Sequence, residues 1–437
     1  MSTETRLARK LGLGDAVVIG LGSMIGAGVF AAFAPAAEAA GTGLLLGLLI
    51  AAGVAYANAT SSAELAALYP ESGGTYVYAR RRLGRVWSFI AGWGFVVGKV
   101  ASCAAMALTF GHYVAPTFAR PIAAAVIVAL VGVNYFGIGK TALLTRAIVV
   151  FVLIALATVV AAAVGGGSFH GYALAPLIGD HGLYGILQAG GLFFFAFAGY
   201  ARIATLGEEV RDPERVIPRA IPLAFVVTVF VYVVVGVAVL GAAGSVVLAR
   251  SSAPLAAAMQ AGSLSSLAFV ARVGAAVASA GVLVSFIAGV SRTTFAMAAN
   301  GELPRWLAAV HPRFRVPHRA EIAIGAVVVL IVALADVRSA IGFSSFATLV
   351  YYAIANASAL TLGAEERRWP RWLAVFGVVG CVTLAFTLPW PDVVVGASVL
   401  AVGVAAQGVR RGGRERLGSR AGSRTRSDRS RSQRPPT

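Results

Sequence analysis

Long apolar runs recur along this chain from one end to the other, and that recurrence limits the folds open to it. A helix that crosses a bilayer needs about 20 mostly apolar residues. Twelve segments reach or approach that length: 15–40, 43–65, 86–113, 120–136, 141–165, 185–206, 218–241, 269–298, 320–336, 339–362, 372–389 and 391–409. Only 12% of the residues are charged and 58% are hydrophobic, against about 25% charged in an ordinary soluble domain. Such a chain has nowhere to place its surface except lipid. Closed β-barrels also span membranes, but they need short strands of alternating polarity. Runs such as Val226–Leu240 are apolar all round instead. The expected fold class is therefore all-α integral membrane, with twelve transmembrane helices. The two shortest segments, 120–136 and 320–336, are accommodated by tilt or local thinning of the bilayer.

The formal net charge of +18 would suggest a nucleic acid partner in a soluble protein. Here the basic residues fall between apolar segments, so they report topology and no nucleic acid is implied. One set of loops carries Arg6, Arg9 and Lys10; Arg80, Arg81, Arg82 and Arg85; Lys140 and Arg146; Arg211, Arg215 and Arg219; Arg305, Arg313, Arg315 and Arg319; and Arg367, Arg368 and Arg371. The alternate set offers Arg120, Arg250 and Arg338, with Arg272 near a helix start. The alternation holds through all twelve segments and places both termini in the cytoplasm. One missed or invented helix would invert it downstream.

Cys103 and Cys381 each lie inside an apolar stretch, and neither a disulfide framework nor a metal site is expected. The first apolar segment runs well past Ala40, too long for a cleaved signal peptide. Residues 410–437 are rich in Arg, Ser and Gly. Such a tail buries no core and is expected to be disordered, either solvated or in contact with anionic lipid headgroups.

Two motifs interrupt the apolar pattern. Gly22-Ser23-Met24-Ile25-Gly26-Ala27-Gly28-Val29-Phe30 lies mid-way along the first segment. Each glycine in a helix interior costs about 1 kcal/mol relative to alanine, so three within seven residues favour a break. A broken helix survives in a membrane only where protein buries it or where it lines a cavity. Its exposed donors suit a carboxylate and its freed carbonyls suit an ammonium or a metal cation. The same glycines also read as a small-xxx-small packing face. The second motif, Phe193-Phe194-Phe195-Ala196-Phe197-Ala198-Gly199-Tyr200, lies in the sixth segment. It reads either as an aromatic gate over a pocket or as a plain apolar stripe.

The first motif resembles the first-helix signature of the amino acid–polyamine–organocation superfamily. Tyr69-Pro70-Glu71-Ser72-Gly73-Gly74-Thr75-Tyr76 is similar to that family's first cytoplasmic loop. The stretch from Phe195-Ala196-Phe197 through Glu208-Glu209-Val210-Arg211-Asp212-Pro213, with Ile217-Pro218-Arg219, resembles its sixth helix and the loop beyond. Ser291-Arg292, Ala296-Met297-Ala298 and Gly301-Glu302-Leu303-Pro304 resemble the end of its eighth helix. The likeness covers roughly residues 10–320 and extends beyond them only by helix count.

That resemblance implies the leucine-transporter fold: a 5+5 inverted repeat (about 12–165 and 185–362) followed by two extra helices (about 372–409). These make up one transporter domain, residues 1–409. It also implies first and sixth helices unwound at the midplane around a substrate's amino and carboxyl groups. Carried over, the substrate-binding residues are Ser23, Ile25, Gly26, Ala27 and Gly28, with Phe195, Ala196, Phe197 and Gly199. Two departures leave the coupling open. Val152 stands where some proton-coupled members carry a fifth-helix lysine. Ala201 and Arg202 stand where many relatives have an acidic residue.

Lys99, near the middle of the third segment, is a coupling candidate in its own right. A mid-membrane lysine costs about 2.5–3.5 kcal/mol on insertion scales, so it is not expected to face lipid. It reads as a proton carrier or as a cap on carbonyls at a helix break. Ser285 is a second coupling candidate, as a hydroxyl ligand for sodium or as a serine bonded back to its own helix. Arg202 is expected to snorkel or to pair with Glu208 or Glu209, and Glu38 and Glu64 to be solvated or paired near helix ends.

The expected activity is secondary active transport of a neutral or acidic amino acid across the inner (plasma) membrane by alternating access, proton-coupled or as an exchanger. A second positive charge in a low-dielectric site would need a carboxylate. None falls in the middle of the first, third, sixth, eighth or tenth segments. Transport of cationic amino acids or polyamines is the alternative, and a non-transporting amino acid sensor another. No cofactor is expected. No nucleophile elbow, phosphate loop or His/Cys/Glu cluster points to an enzyme.

Overall fold

The computed structural model describes residues 11–69, 71, 73–137, 142–179, 181–200, 203 and 210–408. The basic tail, Arg202, Glu208 and Glu209 lie outside the described residues. Among those described no strand forms, and a lone bridge joins Leu11 to Val210. Each of the twelve apolar segments carries helix. In chain order the helices are α1 (Leu13–Met24), α2 (Ala27–Ala31), α3 (Phe33–Ala40), α4 (Leu44–Leu68), α5 (Thr75–Arg82), α6 (Arg85–Val114), α7 (Ala119–Tyr135) and α8 (Ala142–Gly165). They continue with α9 (Gly182–Phe197), α10 (Pro213–Arg250), α11 (Pro254–Gln260), α12 (Ala268–Ala299), α13 (His318–Leu334), α14 (Val337–Leu360), α15 (Arg371–Thr387) and α16 (Trp390–Gly408).

Nine stretches of the described residues are long and apolar enough to cross a membrane, and α9 and α15 are shorter apolar helices. The sequence read α9 as running to 206. Regular helix is interrupted after Phe197, where the chain tightens into a 3-10 turn at Ala198–Tyr200, and Ile203 beyond it is helical again. Two short helices went unread, α5 and α11, each too short to show an apolar period. The long α10 begins with Pro213 at its first position, where a missing N–H costs nothing. It bends at Gly244, whose φ of 72° is left-handed, so 245–250 forms a separate outer piece.

The centre of the fold is built on small and polar contacts, since lipid offers little hydrophobic drive between helices. α6 and α14 lie side by side: a Cβ on Gly98 would sit 3.0 Å from Ala347 Cβ, and the Ser102 and Ser344 hydroxyls are 2.6 Å apart. On α4, Asn58 accepts from Asn356 of α14 at 2.5 Å. The peripheral helices α7, α15 and α16 expose apolar side chains, among them Val128 (65%), Phe386 (60%) and Val402 (67%). That pattern fits a lipid-facing rim around a protein-facing centre.

Candidate functional site

The first helix breaks where its glycines cluster. α1 ends at Met24, Ile25 (φ −78°, ψ 60°) and Gly26 (φ −113°, ψ −142°) leave the helical region, and α2 starts at Ala27. The half-helix then passes through Ala32, itself in the right-handed region, into α3. Only Ile25 and Gly26 of the expected first-helix set are unwound. Ser23 lies in the last turn of α1, its hydroxyl donating to the Ile19 carbonyl at 2.9 Å, and Ala27 and Gly28 open α2. All but Ser23 are buried, and Ser23 is partly so.

The sixth helix meets this break directly. A Cβ on Gly28 would lie 2.6 Å from Ala196 Cα. One on Gly199 would overlap the Ser23 carbonyl and the Met24 nitrogen. One on Gly26 would run into Val282 of α12. The expected residues are thus brought together, with one correction. Phe195, Ala196 and Phe197 are helical, and the departure from regular helix begins at Ala198. Four phenylalanines ahead of the turn, Phe193, Phe194, Phe195 and Phe197, favour continued packing over unwinding. Phe194 stacks edge-on against Tyr352 with centroids 5.7 Å apart, and Phe197 lies 5.1 Å from Tyr232.

Tyrosines unread from the sequence hold the two breaks. The buried Tyr232 hydroxyl of α10 reaches the Met24 carbonyl at 2.5 Å and the Ala196 carbonyl at 3.0 Å. One proton therefore serves two acceptors. Tyr352 of α14 donates to the Ala198 carbonyl at 3.4 Å. Further out, the Tyr113 hydroxyl of α6 donates to the Phe30 carbonyl at 2.9 Å and accepts from the Leu255 amide at 3.3 Å. For Tyr232 the available signal was a tyrosine isolated in a valine-rich run, whose buried hydroxyl must find a partner.

Lys99 is buried against the same turn. Its Nζ is 3.4 Å from the Ala198 carbonyl and 4.6 Å from the centroid of the Phe286 ring, a cation–π contact. Ser285, beside Phe286 on α12, is partly buried and forms none of the described hydrogen bonds. No carboxylate stands among the described residues of α2, α6, α9, α12 or α14, and those of α1 and α3, Asp15 and Glu38, lie near helix ends.

The end of the fold that carries most of the arginine-rich loops is tied by polar contacts. Tyr76 of α5 donates to Glu302 at 2.9 Å and accepts from Asn300 at 3.0 Å; burial, then the Glu302 charge, pushes its phenol above the usual range. The Glu64 carboxylate accepts the Arg368 and Trp369 amides at 2.7 and 2.6 Å. Arg82 pairs with Glu366. That hydrogen bond raises the guanidinium above its usual range and holds the carboxyl below its own.

A family model for amino acid permeases matches residues 11–404. The chain belongs to the amino acid permease family. With it, the permease falls in the amino acid–polyamine–organocation superfamily. It is 64% identical over 405 residues to an uncharacterized transporter of Mycobacterium tuberculosis, covering 93% of this chain and 92% of that one. It is 25% identical over 426 residues to the branched-chain amino acid permease BcaP of Bacillus subtilis, covering 90% and 91%. It is 29% identical over 385 residues to the vacuolar cationic amino acid transporter 4 of Arabidopsis thaliana, covering 82% and 64%. The permease is a multi-pass membrane protein of a transporter family.

Proposed function

We propose that the permease is a secondary active transporter of neutral or acidic amino acids in the plasma membrane. It crosses the bilayer twelve times with both termini cytoplasmic. Two inverted five-helix repeats, about 12–165 and 185–362, pack with two added helices, about 372–409, and alternating access proceeds around a midplane site. The observation that carries this reading is the meeting of two interrupted helices at Ser23–Gly28 and Phe195–Gly199. The N-terminal end of the α2–α3 half-helix offers a substrate carboxylate its positive pole. Carbonyls freed at the two interruptions offer an ammonium its acceptors. Ser23, Ile25, Gly26, Ala27, Gly28, Phe195, Ala196, Phe197 and Gly199 line the substrate. Coupling runs through Lys99, which carries a proton at the Ala198 carbonyl, in preference to sodium at Ser285. The tail at 410–437 rests on anionic lipid.

The relatives named as cationic amino acid transporters favour a second reading. In it, carbonyls and the Phe197 ring hold the extra charge by cation–π contact. Reconstitution into proteoliposomes separates the two. Labelled leucine, alanine, serine and glutamate are expected to accumulate under an imposed gradient and to compete with one another. Arginine, lysine or putrescine outcompeting them would establish the second reading, and binding without uptake would mark a sensor.

A further inference from the structure

Two side-chain donors from different helices converge on a single carbonyl at the sixth-helix turn. Lys99 Nζ of α6 and the Tyr352 hydroxyl of α14 each stand 3.4 Å from the Ala198 oxygen. Both distances exceed the usual range for such bonds, about 2.7–3.2 Å, so the carbonyl lies between the two donors and belongs fully to neither. The donors sit on one packed unit. α6 and α14 are joined by the Ser102–Ser344 hydroxyl pair at 2.6 Å, and a Cβ on Gly98 would lie 3.0 Å from Ala347 Cβ. Each donor is also held in direction. Nζ lies 4.6 Å from the centroid of the Phe286 ring, and the Tyr352 ring meets Phe194 and Tyr351 edge-on at 5.7 and 5.0 Å. With both donors fixed, the element free to choose between them is the turn at Ala198–Tyr200. The same turn carries Gly199, which abuts the Ser23 carbonyl and the Met24 nitrogen of the first-helix break.

We propose that Tyr352 is the second half of the coupling element, a positioning residue that exchanges with Lys99 at the Ala198 carbonyl. This rests on the reading of Lys99 as the proton carrier of a transporter. With its proton on, Lys99 makes the stronger, charge-assisted bond and draws the turn toward α6. When the proton leaves for water, the neutral amine is a weak donor. The Tyr352 O–H then closes on the carbonyl and draws the turn toward α14. Ala198 keeps a side-chain donor in both states, as a water-free interior requires, but from a different helix in each. The shift passes through Gly199 to Ser23 and Met24, so the proton is felt at the substrate site although Lys99 need not touch substrate. The other titratable neighbours are Cys103, one turn along α6, and Tyr351, whose hydroxyl is taken by the Thr75 amide at 3.1 Å. Arg85 and His112 of α6, Arg272 and Arg292 of α12 and Arg338 of α14 lie toward helix ends, and α9 carries no charged residue.

The test follows two readouts across an acid-to-alkaline series: uptake of the labelled amino acid that wild-type proteoliposomes accumulate best, and thermal melting of the purified full-length protein. Tyr352→Phe should match wild type at the acid end and lose about fivefold in uptake at the alkaline end, the size of one neutral hydrogen bond. Its melting temperature should fall at the alkaline end alone. Lys99→Met combined with Tyr352→Phe should show that alkaline level of uptake at every pH, because neither donor is then left. Tyr351→Phe is the control: it removes a buried hydroxyl from the same helix, and any loss should be the same at every pH. A Tyr352→Phe deficit not concentrated at the alkaline end, or no deficit at all, would overturn the exchange and leave the transport reading standing. If wild type takes up no amino acid of a full panel, the transport reading fails and the melting series alone decides the exchange. It then stands if the Tyr352→Phe deficit is confined to the alkaline end and falls otherwise.

Discussion

The first and sixth helices are both interrupted where they meet, but the two interruptions are made differently. In the first, α1 stops and α2 resumes across only Ile25 and Gly26. The glycines around that gap are also where neighbouring backbone comes closest, Ala196 against Gly28 and Ser23 against Gly199. In the sixth, α9 runs intact through four phenylalanines and tightens at Ala198–Tyr200. Its carbonyls are then taken by side chains from elsewhere: Tyr232, Tyr352 and Lys99. The first break is permitted by absent side chains and takes one imported donor, Tyr232 at Met24, whereas the sixth is held by imported donors alone. A membrane interior, which offers no water to unpaired carbonyls, demands one or the other.

That contrast can be broken from either side. The largest effect should come from filling the space between the helices. Gly28→Leu or Gly199→Leu places side-chain atoms where backbone stands, so substrate affinity should fall by more than about 100-fold, while the protein remains monodisperse on size exclusion. Gly22→Ala is the control: its Cβ would meet side-chain methyls alone, of Val149 at 2.9 Å and Thr145 at 3.4 Å, and binding titration should read near wild type. Normal affinity in both leucine variants would leave these glycines a packing role only.

The sixth-helix side is tested by removing a donor. Tyr232→Phe leaves the Met24 and Ala196 carbonyls without their shared hydroxyl, at a cost of ~1–3 kcal/mol. Both the melting temperature and substrate affinity should drop, the latter about tenfold. Tyr352→Phe, whose bond to Ala198 is longer at 3.4 Å, should cost less on both measures. No loss in either variant would show that neither hydroxyl holds its carbonyl.

The smallest change in rate, and the sharpest in kind, is expected at Lys99. Lys99→Met keeps the length of the chain against Phe286 and removes the titrating amine. Gradient-driven uptake should retain its maximum within about tenfold but lose most of its pH dependence. A pH profile identical to wild type would make Lys99 a carbonyl cap alone.

That the chain is helical and rich in membrane-length apolar runs was legible in the sequence, because each run is local and its apolarity answers to lipid, not to a particular neighbour. The break at Ile25–Gly26 was legible for a related reason: glycine spacing is a local property with a local conformational cost. The end of α9 was not, since Phe195-Ala196-Phe197 has ordinary helical propensity and only distant donors decide where its hydrogen bonding stops.

The sequence by itself determined an all-helical membrane protein, a first helix that fails at its glycines, and an isolated lysine needing protein around it. Only the tertiary structure decided what that lysine and the breaks touch. The Ala198 carbonyl opposite Lys99, the Tyr232 hydroxyl shared by Met24 and Ala196, and a cavity between Glu38 and Arg250 join residues 36 to 212 positions apart. Such pairings depend on helix rotation and register. Those are set by small-residue contacts, such as Gly98 with Ala347 and Gly28 with Ala196, which carry no signal of their partner along the chain.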